Sequence, residues 1–115
     1  MLTVSNQDSF ESDIDVHEFS KLISNSEVIV LDVRTPEEVS EGFIATARNI
    51  DFYSADFEND VTSLDKEVTY AIYCRSGKRS GQAVKIMQSA GFQKLYNLEG
   101  GIIEWENSGL PVVNK

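Results

Sequence analysis

The sequence predicts an α/β domain with three layers, in which a mostly parallel, five-stranded central sheet carries helices on both faces. Short apolar runs alternate along the chain with segments whose apolar residues recur at helical spacing. The runs at 28–33 and 68–73 are apolar along most of their length, as expected for parallel strands covered on both faces. A chain of 115 residues suits one domain. We therefore expect a single domain over residues 1–115, with residues 1–9 as a flexible N-terminal segment.

The first predicted elements are a short edge strand over residues 10–14 and an amphipathic helix. Asp15 and Glu18 have the spacing of a capping box, which marks the start of the helix. The apolar stripe of this helix consists of Val16, Phe19, Leu22 and Ile23. His17 falls outside the stripe, so we expect it to be exposed.

The second strand is predicted over residues 28–33. Thr35-Pro36-Glu37-Glu38 then combines another capping box with proline at the first helical position. A third strand is predicted over residues 47–50, and a short helix follows with Ser54 as its candidate cap. The apolar residues of that helix are expected to belong to the core: Tyr53, Phe57, Val61 and Leu64.

The second half of the chain is predicted to contain two strands and two helices. Residues 68–73 form the strand that leads to position 74, and a helix runs from about Ser80 to a left-handed cap at Gly91. The apolar stripe of this helix consists of Ala83, Ile86, Met87 and Ala90. Residues 95–98 form the last strand, and a turn at 99–101 begins a short helix that places Trp105 in the core.

The segment Cys74-Arg75-Ser76-Gly77-Lys78-Arg79-Ser80 is the candidate site, and Cys74 is the only cysteine. A thiol reacts as its thiolate, and an ordinary pKa of about 8.5 leaves only a few per cent ionised at neutral pH. Backbone N–H groups of residues 75–80 and the positive end of a helix dipole can stabilise that anion. Because the dipole contributes at most about 2 kcal/mol, we expect cations to supply the rest. Cys74 is thus the candidate nucleophile, and the anion-binding loop consists of Arg75, Ser76, Gly77, Lys78, Arg79 and Ser80.

Each of these residues also has an ordinary structural interpretation. A lone cysteine at a strand end is more often a small buried hydrophobe than a nucleophile, and three clustered cations could form a solvated face. The context favours a site, because three of the ten Lys and Arg residues stand within five positions in a chain of net charge -9. Gly77 also permits a positive-φ turn that points successive N–H groups inward.

Ligands of open α/β sheets bind at the carboxyl ends of the strands. Asp32 and Arg34 lie at the end of the second strand and are predicted to support the site. Asp32 could be an active-site acid, but a structural role at the strand end is favoured; Arg34 could lie near the loop or over the turn that follows it. The glycine pair at 100–101 lies at another strand end, so we expect Cys74, Asp32 and these glycines to share one mouth.

The loop at 74–80 resembles the active-site loop of the single-domain rhodanese family of sulfurtransferases. Four further blocks resemble this family in the same order: 31–38 its "DVR-x-P-x-E" segment, 42–50 its "GHIPGAINI" stretch, and 96–105 and 109–112 its "LEGG…W…GLPV" end. One departure is Gly42-Phe43-Ile44-Ala45-Thr46-Ala47, which lacks the histidine, the proline and the second glycine. The family does not normally use that histidine as a base, so we interpret the change as altered loop packing.

The resemblance implies a thiosulfate sulfurtransferase, or rhodanese-type, enzyme without a cofactor. Cys74 would take a sulfane sulfur from a small anionic donor such as thiosulfate and hold it as a persulfide. The acceptor would be cyanide or a thiol, including a protein thiol. Arg75 and Arg79 are candidates to hold the sulfonate of the donor or to orient the loop, and Lys78 to raise the local potential.

Two other functions stay open. Cysteine-dependent phosphatases and arsenate reductases use a related strand–cysteine–loop–helix arrangement, but those phosphatases have one residue more between cysteine and arginine than the four that separate Cys74 from Arg79. The shorter loop matches a single sulfur atom better than a tetrahedral phosphate. A carrier or binding module would keep the fold, hold the persulfide and show little free turnover.

Composition limits the possible partners, the metal and disulfide sites and the cellular location of the protein. The net charge of -9 argues against nucleic acid and anionic membrane surfaces as partners. One cysteine cannot form an internal disulfide, and one histidine with one cysteine gives too few ligands for a His/Cys metal site. Residues 1–11 have neither a basic start nor an apolar run of signal-peptide length. We therefore expect a cytoplasmic monomer.

Overall fold

The computed structural model describes residues 12–114 and arranges them around a five-stranded sheet in which every pair of neighbouring strands is parallel. The order across the sheet is β1-β5-β4-β2-β3. The strands are β1 Asp13–Ile14, β2 Ile29–Asp32, β3 Arg48–Asn49, β4 Tyr70–Tyr73 and β5 Leu95–Leu98. The predicted fold class is confirmed, and the sheet is parallel throughout.

The helices of the described part follow the strands in the predicted order. They are α1 Val16–Ile23, α2 Pro36–Val39, α3 Phe57–Thr62, α4 Lys78–Ser89 and α5 Gly101–Asn107. Helix α4 begins two residues before its predicted start at Ser80. The strand predicted over 10–14 covers only Asp13–Ile14; residues 10 and 11, like the segment at 1–9, lie outside the described residues.

Strand β4 lies between β5 and β2 and is buried along its whole length. Tyr70 and Ile72 contact one hydrophobic cluster, whereas Ala71 and Tyr73 contact the other. Cys74 continues this alternation and belongs to the cluster of Tyr70 and Ile72. Because β4 is hydrogen-bonded along both edges, the strand end that carries Cys74 is held in place by its neighbours.

The two clusters cover the two faces of the sheet. One contains apolar residues of α3 and α4, and the other contains Phe19 of α1 together with Trp105 of α5. The Phe19 and Trp105 rings meet edge to face at 6.0 Å, and Trp105 Nε1 donates to the Pro111 carbonyl at 2.8 Å. Trp105 is therefore a core residue, as predicted. His17 is exposed, also as predicted, whereas Tyr53 was expected in the core and is 68% exposed.

The helix ends agree with the sequence signals in part. Thr35 forms both halves of the capping box of α2, and Gly91 ends α4 with a φ of 100°. At α1 only one half of the capping box is present, in which Asp15 Oδ1 accepts from the amide of Glu18 at 2.9 Å. The N-cap of α3 is Asp56 rather than Ser54, whose hydroxyl instead accepts from the Asp56 amide at 3.1 Å.

None of the helices within residues 12–114 is long and apolar enough to cross a membrane. Over the same residues, no group of three or more histidine, cysteine, aspartate or glutamate side chains is placed to hold a metal ion.

Candidate active site

The loop from Cys74 to Ser80 wraps around the cysteine sulfur. Cys74 follows the last residue of β4, and the whole residue is only 1% exposed. Its Sγ accepts hydrogen bonds from the Gly77 amide at 3.1 Å, the Ser80 amide at 3.4 Å and the Ser80 hydroxyl at 3.3 Å. The loop thus surrounds the sulfur with donors, which is the arrangement that stabilises a thiolate.

These contacts determine the ionisation of the thiol. Burial raises the pKa of Cys74, because it disfavours the charged form. The hydrogen bonds from the Ser80 hydroxyl and from the amides of Ser80, Gly77 and Ser76 outweigh burial, so the pKa lies below its ordinary value. The largest contributions that lower it come from a hydroxyl and from backbone amides, whereas we expected cations to supply what the helix dipole does not.

Gly77 makes the tight turn of the loop possible. It has a φ of 100° and is the N-cap of α4. Its carbonyl accepts from the Gly81 amide at 3.1 Å and from Asn97 Nδ2 at 3.3 Å, which ties the turn to α4 and to β5. A Cβ at this position would lie 3.3 Å from the Gly100 amide nitrogen, so a side chain would crowd the neighbouring turn as well as strain the backbone.

The N-terminus of α5 holds the other side of the loop. The Ile102 amide donates to the Cys74 carbonyl at 2.9 Å, and the Ile103 amide donates to the Arg75 carbonyl at 3.2 Å. In a trans peptide the C=O and the following N–H point in opposite directions. Fixing the Arg75 carbonyl on α5 therefore turns the Ser76 amide away from α5 and toward the sulfur, where it contributes to the lowered pKa.

Gly101 allows this close approach of α5 to the loop. Its φ is 64°, and a Cβ there would lie 2.6 Å from the Ser76 nitrogen and closer still to the Arg75 carbonyl. Residues 74 and 101 are thus brought together, and β2, which ends at Asp32, pairs with the last residue of β4. Cys74, Asp32 and the glycine pair therefore lie at the same edge of the sheet, and their sharing of one ligand-binding mouth stays a prediction.

Arg79 is paired with a carboxylate. Its NH1 and NH2 groups donate to Glu38 Oε1 at 2.8 Å and to Oε2 at 3.0 Å. The hydrogen bond from Arg79 lowers the pKa of Glu38 to about 2, against a smaller opposing effect of burial, and the same contact raises the pKa of Arg79. The Tyr53 ring lies 5.5 Å from the guanidinium carbon. Arg79 is therefore placed to orient the loop.

The other two loop cations point into different cavities. Arg75 lines a cavity of about 210 Å³ together with Arg34, Gly42 and Ile103. Lys78 lines another of about 270 Å³ beside Asn97. Neither side chain forms an ion pair within the part of the chain that the structure describes. The three predicted cations are thus spread around the loop, with one neutralised by a partner and two open to ligands or solvent.

Asp32 and Arg34 form a buried ion pair at the carboxyl end of β2. Arg34 NH2 donates to Asp32 Oδ2 at 2.7 Å and to the Gly42 carbonyl at 2.8 Å. Asp32 Oδ1 also accepts from the Arg34 amide at 3.0 Å. Desolvation lowers the pKa of Arg34, and the contacts with Asp32 more than compensate, so that the pKa is raised. Asp32 and Arg34 are 1% and 5% exposed and bind each other, and Arg34 also lines the cavity beside Arg75.

The segment at 42–47, which departs from the family pattern, contacts Tyr73 and the Asp32–Arg34 ion pair. The Ile44 amide donates to the Tyr73 hydroxyl at 3.0 Å, and Ile44 is 1% exposed. Phe43 pairs with Val113 through two backbone hydrogen bonds of 2.8 and 2.7 Å. Thr46 carries a positive φ of 67°, which is uncommon for a residue other than glycine. The segment therefore contributes to the packing around β4, and only Gly42 reaches the cavity beside Arg75.

Two contributors to the site were not found in the sequence. Glu38 was interpreted only as part of the capping box, and Tyr53 as a core residue. Both act through Arg79, which is 41 positions away from Glu38, so local patterns could not pair them. No local signal pointed to this pair, because the capping box already accounts for Glu38.

Comparison with known proteins identifies the family of this chain. The model of the rhodanese-like domain matches residues 15–108. A sulfurtransferase of Allochromatium vinosum is 36% identical over 103 residues, which cover 89% of this chain and 94% of that protein. A tRNA uridine(34) hydroxylase of Pelagibacter ubique is 30% identical over 105 residues, but these cover only 35% of that protein. The crystal structure of a rhodanese-related protein from Thermoplasma volcanium matches with a TM-score of 0.79 and 32% identity, over 90% of this chain and 98% of that one. The chain belongs to the rhodanese-like domain family of sulfurtransferases.

Proposed function

We propose that the protein transfers a sulfane sulfur from a donor such as thiosulfate to a nucleophilic acceptor, through a persulfide on Cys74. The observation that carries this proposal is the set of hydroxyl and amide donors around Sγ, which lowers the pKa of the thiol despite its burial. The thiolate is the nucleophilic form, and a lowered pKa increases the fraction of it that is present without a separate general base.

The reaction consists of two displacements. In the first, the Cys74 thiolate attacks the outer sulfur of thiosulfate, an S–S bond forms to Cys74, and the S–S bond of thiosulfate breaks. Sulfite leaves with the bonding electron pair. In the second, an acceptor such as cyanide attacks the terminal sulfur of Cys74–S–S⁻, and thiocyanate forms while the Cys74 thiolate is regenerated. Negative charge is present in the loop before and after each displacement, which is what the ring of donors is suited to stabilise.

The test combines mass measurement with turnover. After incubation with thiosulfate and removal of excess donor, we expect the intact protein to gain the mass of one sulfur atom and to release it as thiocyanate when cyanide is added. Cys74→Ser should show neither. Hydrolysis of an aryl phosphate or reduction of arsenate through Cys74, in place of sulfur transfer, would contradict the proposal and support the related phosphatase or arsenate reductase chemistry.

A persulfide carrier is the second candidate, and the burial of Cys74 favours it. Because Cys74 is 1% exposed, small donors reach its sulfur slowly in the free protein, whereas a partner could open the loop as it binds. A carrier would accept sulfur from a desulfurase or from polysulfide and hold it stably, with slow turnover of thiosulfate and cyanide. The lifetime of the persulfide, measured by intact mass with and without an acceptor thiol, separates the carrier from the turnover enzyme.

A further inference from the structure

Glu38 makes more contacts than a capping residue needs. Its Oε1 accepts from the Thr35 amide at 3.0 Å, which completes the capping box of α2, and also accepts from the Thr35 hydroxyl at 3.2 Å. The same oxygen accepts from Arg79 NH1 at 2.8 Å, and Oε2 accepts from Arg79 NH2 at 3.0 Å. One carboxylate thus joins the start of α2 to the start of α4. Since α2 fixes the carboxylate, the position of the guanidinium is fixed as well.

The pair affects the loop because of where Arg79 lies. Arg79 directly precedes Ser80, whose amide and hydroxyl both bind the Cys74 sulfur. Its guanidinium is the loop cation that Glu38 neutralises, and the Tyr53 ring lies against it. With Glu38 ionised, the pair contributes no net charge to the loop, so the electrostatic attraction of the loop for an anionic donor is weakened.

We propose that Glu38 is a positioning residue that determines donor specificity: by pairing with Arg79 it makes the loop discriminate against oxyanion donors in favour of persulfides of thiols. This inference rests on the sulfur-transfer reaction proposed above and adds the class of donor. A donor such as thiosulfate brings a sulfonate that must be held by a cation, whereas a persulfide R–S–SH carries no such group.

Transfer from a persulfide balances without any further reactant. The Cys74 thiolate attacks the terminal sulfur of R–S–SH, a new S–S bond forms to Cys74, and the original S–S bond breaks. The leaving thiolate R–S⁻ takes the proton of the transferred sulfur, so the products are the thiol R–SH and the protein persulfide Cys74–S–S⁻. The charge is a single negative charge on each side of this step, so no additional cation is required in the loop.

The decisive variants are Glu38→Gln and its matched control Glu37→Gln. Both remove one negative charge from α2, but Glu37 is exposed and only Glu38 contacts Arg79. We expect Glu38→Gln to lower the KM for thiosulfate about fivefold, which corresponds to about 1 kcal/mol for releasing one partly exposed charge. The quantity that tests the proposal is the ratio of this KM to the KM for a low-molecular-weight thiol persulfide, which should fall about fivefold even if loss of the Arg79 contact changes both values. Glu37→Gln should change neither value.

A second measurement does not depend on turnover. Iodoacetate is anionic and iodoacetamide is neutral, so the ratio of their alkylation rates at Cys74 reports the local charge while general changes in thiol reactivity cancel. We expect this ratio to rise about fivefold in Glu38→Gln, to stay unchanged in Glu37→Gln, and to fall below wild type in Arg79→Gln, where Glu38 is left unpaired. The double variant Glu38→Gln/Arg79→Gln should lose the gain of Glu38→Gln.

The outcomes separate this inference from the proposed function. If Cys74 forms a persulfide but Glu38→Gln leaves both the thiosulfate KM and the alkylation ratio at the wild-type values, the role of Glu38 is wrong and sulfur transfer stands. The same conclusion follows if the double variant keeps the gain, since the effect would then not pass through Arg79. If the ratio changes as expected but no donor loads Cys74, the charge of the loop is as described here and the sulfur-transfer proposal fails together with the donor class.

Discussion

Ser80 contacts the Cys74 sulfur through two groups, an amide at 3.4 Å and a hydroxyl at 3.3 Å, and is itself fully buried. The hydroxyl is the largest contribution that opposes the effect of burial on the thiol. A hydrogen bond to a charged acceptor contributes about 1.5 kcal/mol or more. At the residue scale, therefore, the lowered pKa of Cys74 depends on this serine more than on any arginine or lysine of the loop.

The first prediction concerns Ser80→Ala. Because the hydroxyl lowers the pKa of Cys74, its removal should move the pH profile of iodoacetamide alkylation to higher pH. At pH 7, where the thiolate fraction then falls, the rate should drop about tenfold. Ser63→Ala is the matched control, since the Ser63 hydroxyl is exposed and donates only to the Asn59 carbonyl at 2.6 Å. An unchanged profile in Ser80→Ala would show that the amides alone stabilise the thiolate.

At the scale of elements, the first turn of α5 holds the loop at 74–80 in place. Two amides of its first turn hold the carbonyls of Cys74 and Arg75, and the absence of a side chain at Gly101 lets the two backbones touch. The sequence predicts the glycine turn, but it does not show which backbone the second glycine contacts.

The second prediction compares Gly101→Ala with Gly109→Ala. Both residues have positive φ, 64° and 83°, so both substitutions strain the backbone by about 1 kcal/mol. Only at Gly101 would the new methyl group collide with Arg75 and Ser76; at Gly109 nothing lies within 4 Å. We expect Gly101→Ala to lower the free energy of unfolding by about 3 kcal/mol and to raise the pKa of Cys74, as measured by denaturation and by alkylation. Equal losses in the two variants would mean that the loop does not need the close approach of α5.

The ion pair between α2 and α4 gives the third prediction, which concerns stability and pH. The pKa of Glu38 is lowered from 4.5 to about 2 in the folded protein. A carboxyl group whose pKa is lowered by folding stabilises the folded protein at pH values above its pKa in the unfolded state. This stabilisation is lost as the pH falls from 4.5 toward 2. Allowing for solvent screening, wild type should exceed Glu38→Gln by about 1 kcal/mol in free energy of unfolding at pH 6.

The pH dependence of that difference is the informative quantity. The difference in stability should shrink as the pH falls toward 2, where about half of Glu38 is protonated in the folded protein, whereas the corresponding difference for Glu37→Gln should stay small over the whole range. Urea denaturation of the three proteins between pH 2 and pH 7 measures it. A difference between wild type and Glu38→Gln that is the same at both ends would mean that the carboxylate charge does not contribute to stability.

At the scale of the whole molecule, the sequence predicts the order of the elements better than the contacts between them. Apolar runs and helical spacing locate every strand and helix of the described part to within a few residues, because local periodicity reflects which side is buried. The loop that encloses the Cys74 sulfur is also predictable, since it forms one continuous segment with the cysteine. By contrast, the pairing of Arg79 with Glu38 depends on how α2 packs beside α4. The exposure of Tyr53 has the same origin, because helical spacing alone placed it with Phe57 in the core.

The charge of the whole molecule gives the last prediction, because two electrostatic effects oppose each other at the loop. The net charge of -9 repels an approaching anion, whereas Arg75 and Lys78, which have no ion-pair partner among the described residues, attract it at short range. Salt screens the long-range repulsion first, since the Debye length is about 10 Å at 0.1 M ionic strength. Raising NaCl from about 10 mM to about 500 mM should therefore increase the ratio of iodoacetate to iodoacetamide alkylation of Cys74 about twofold. A ratio that falls instead would mean that the two free cations outweigh the net charge, and that anionic donors are attracted to this loop even while Glu38 neutralises Arg79.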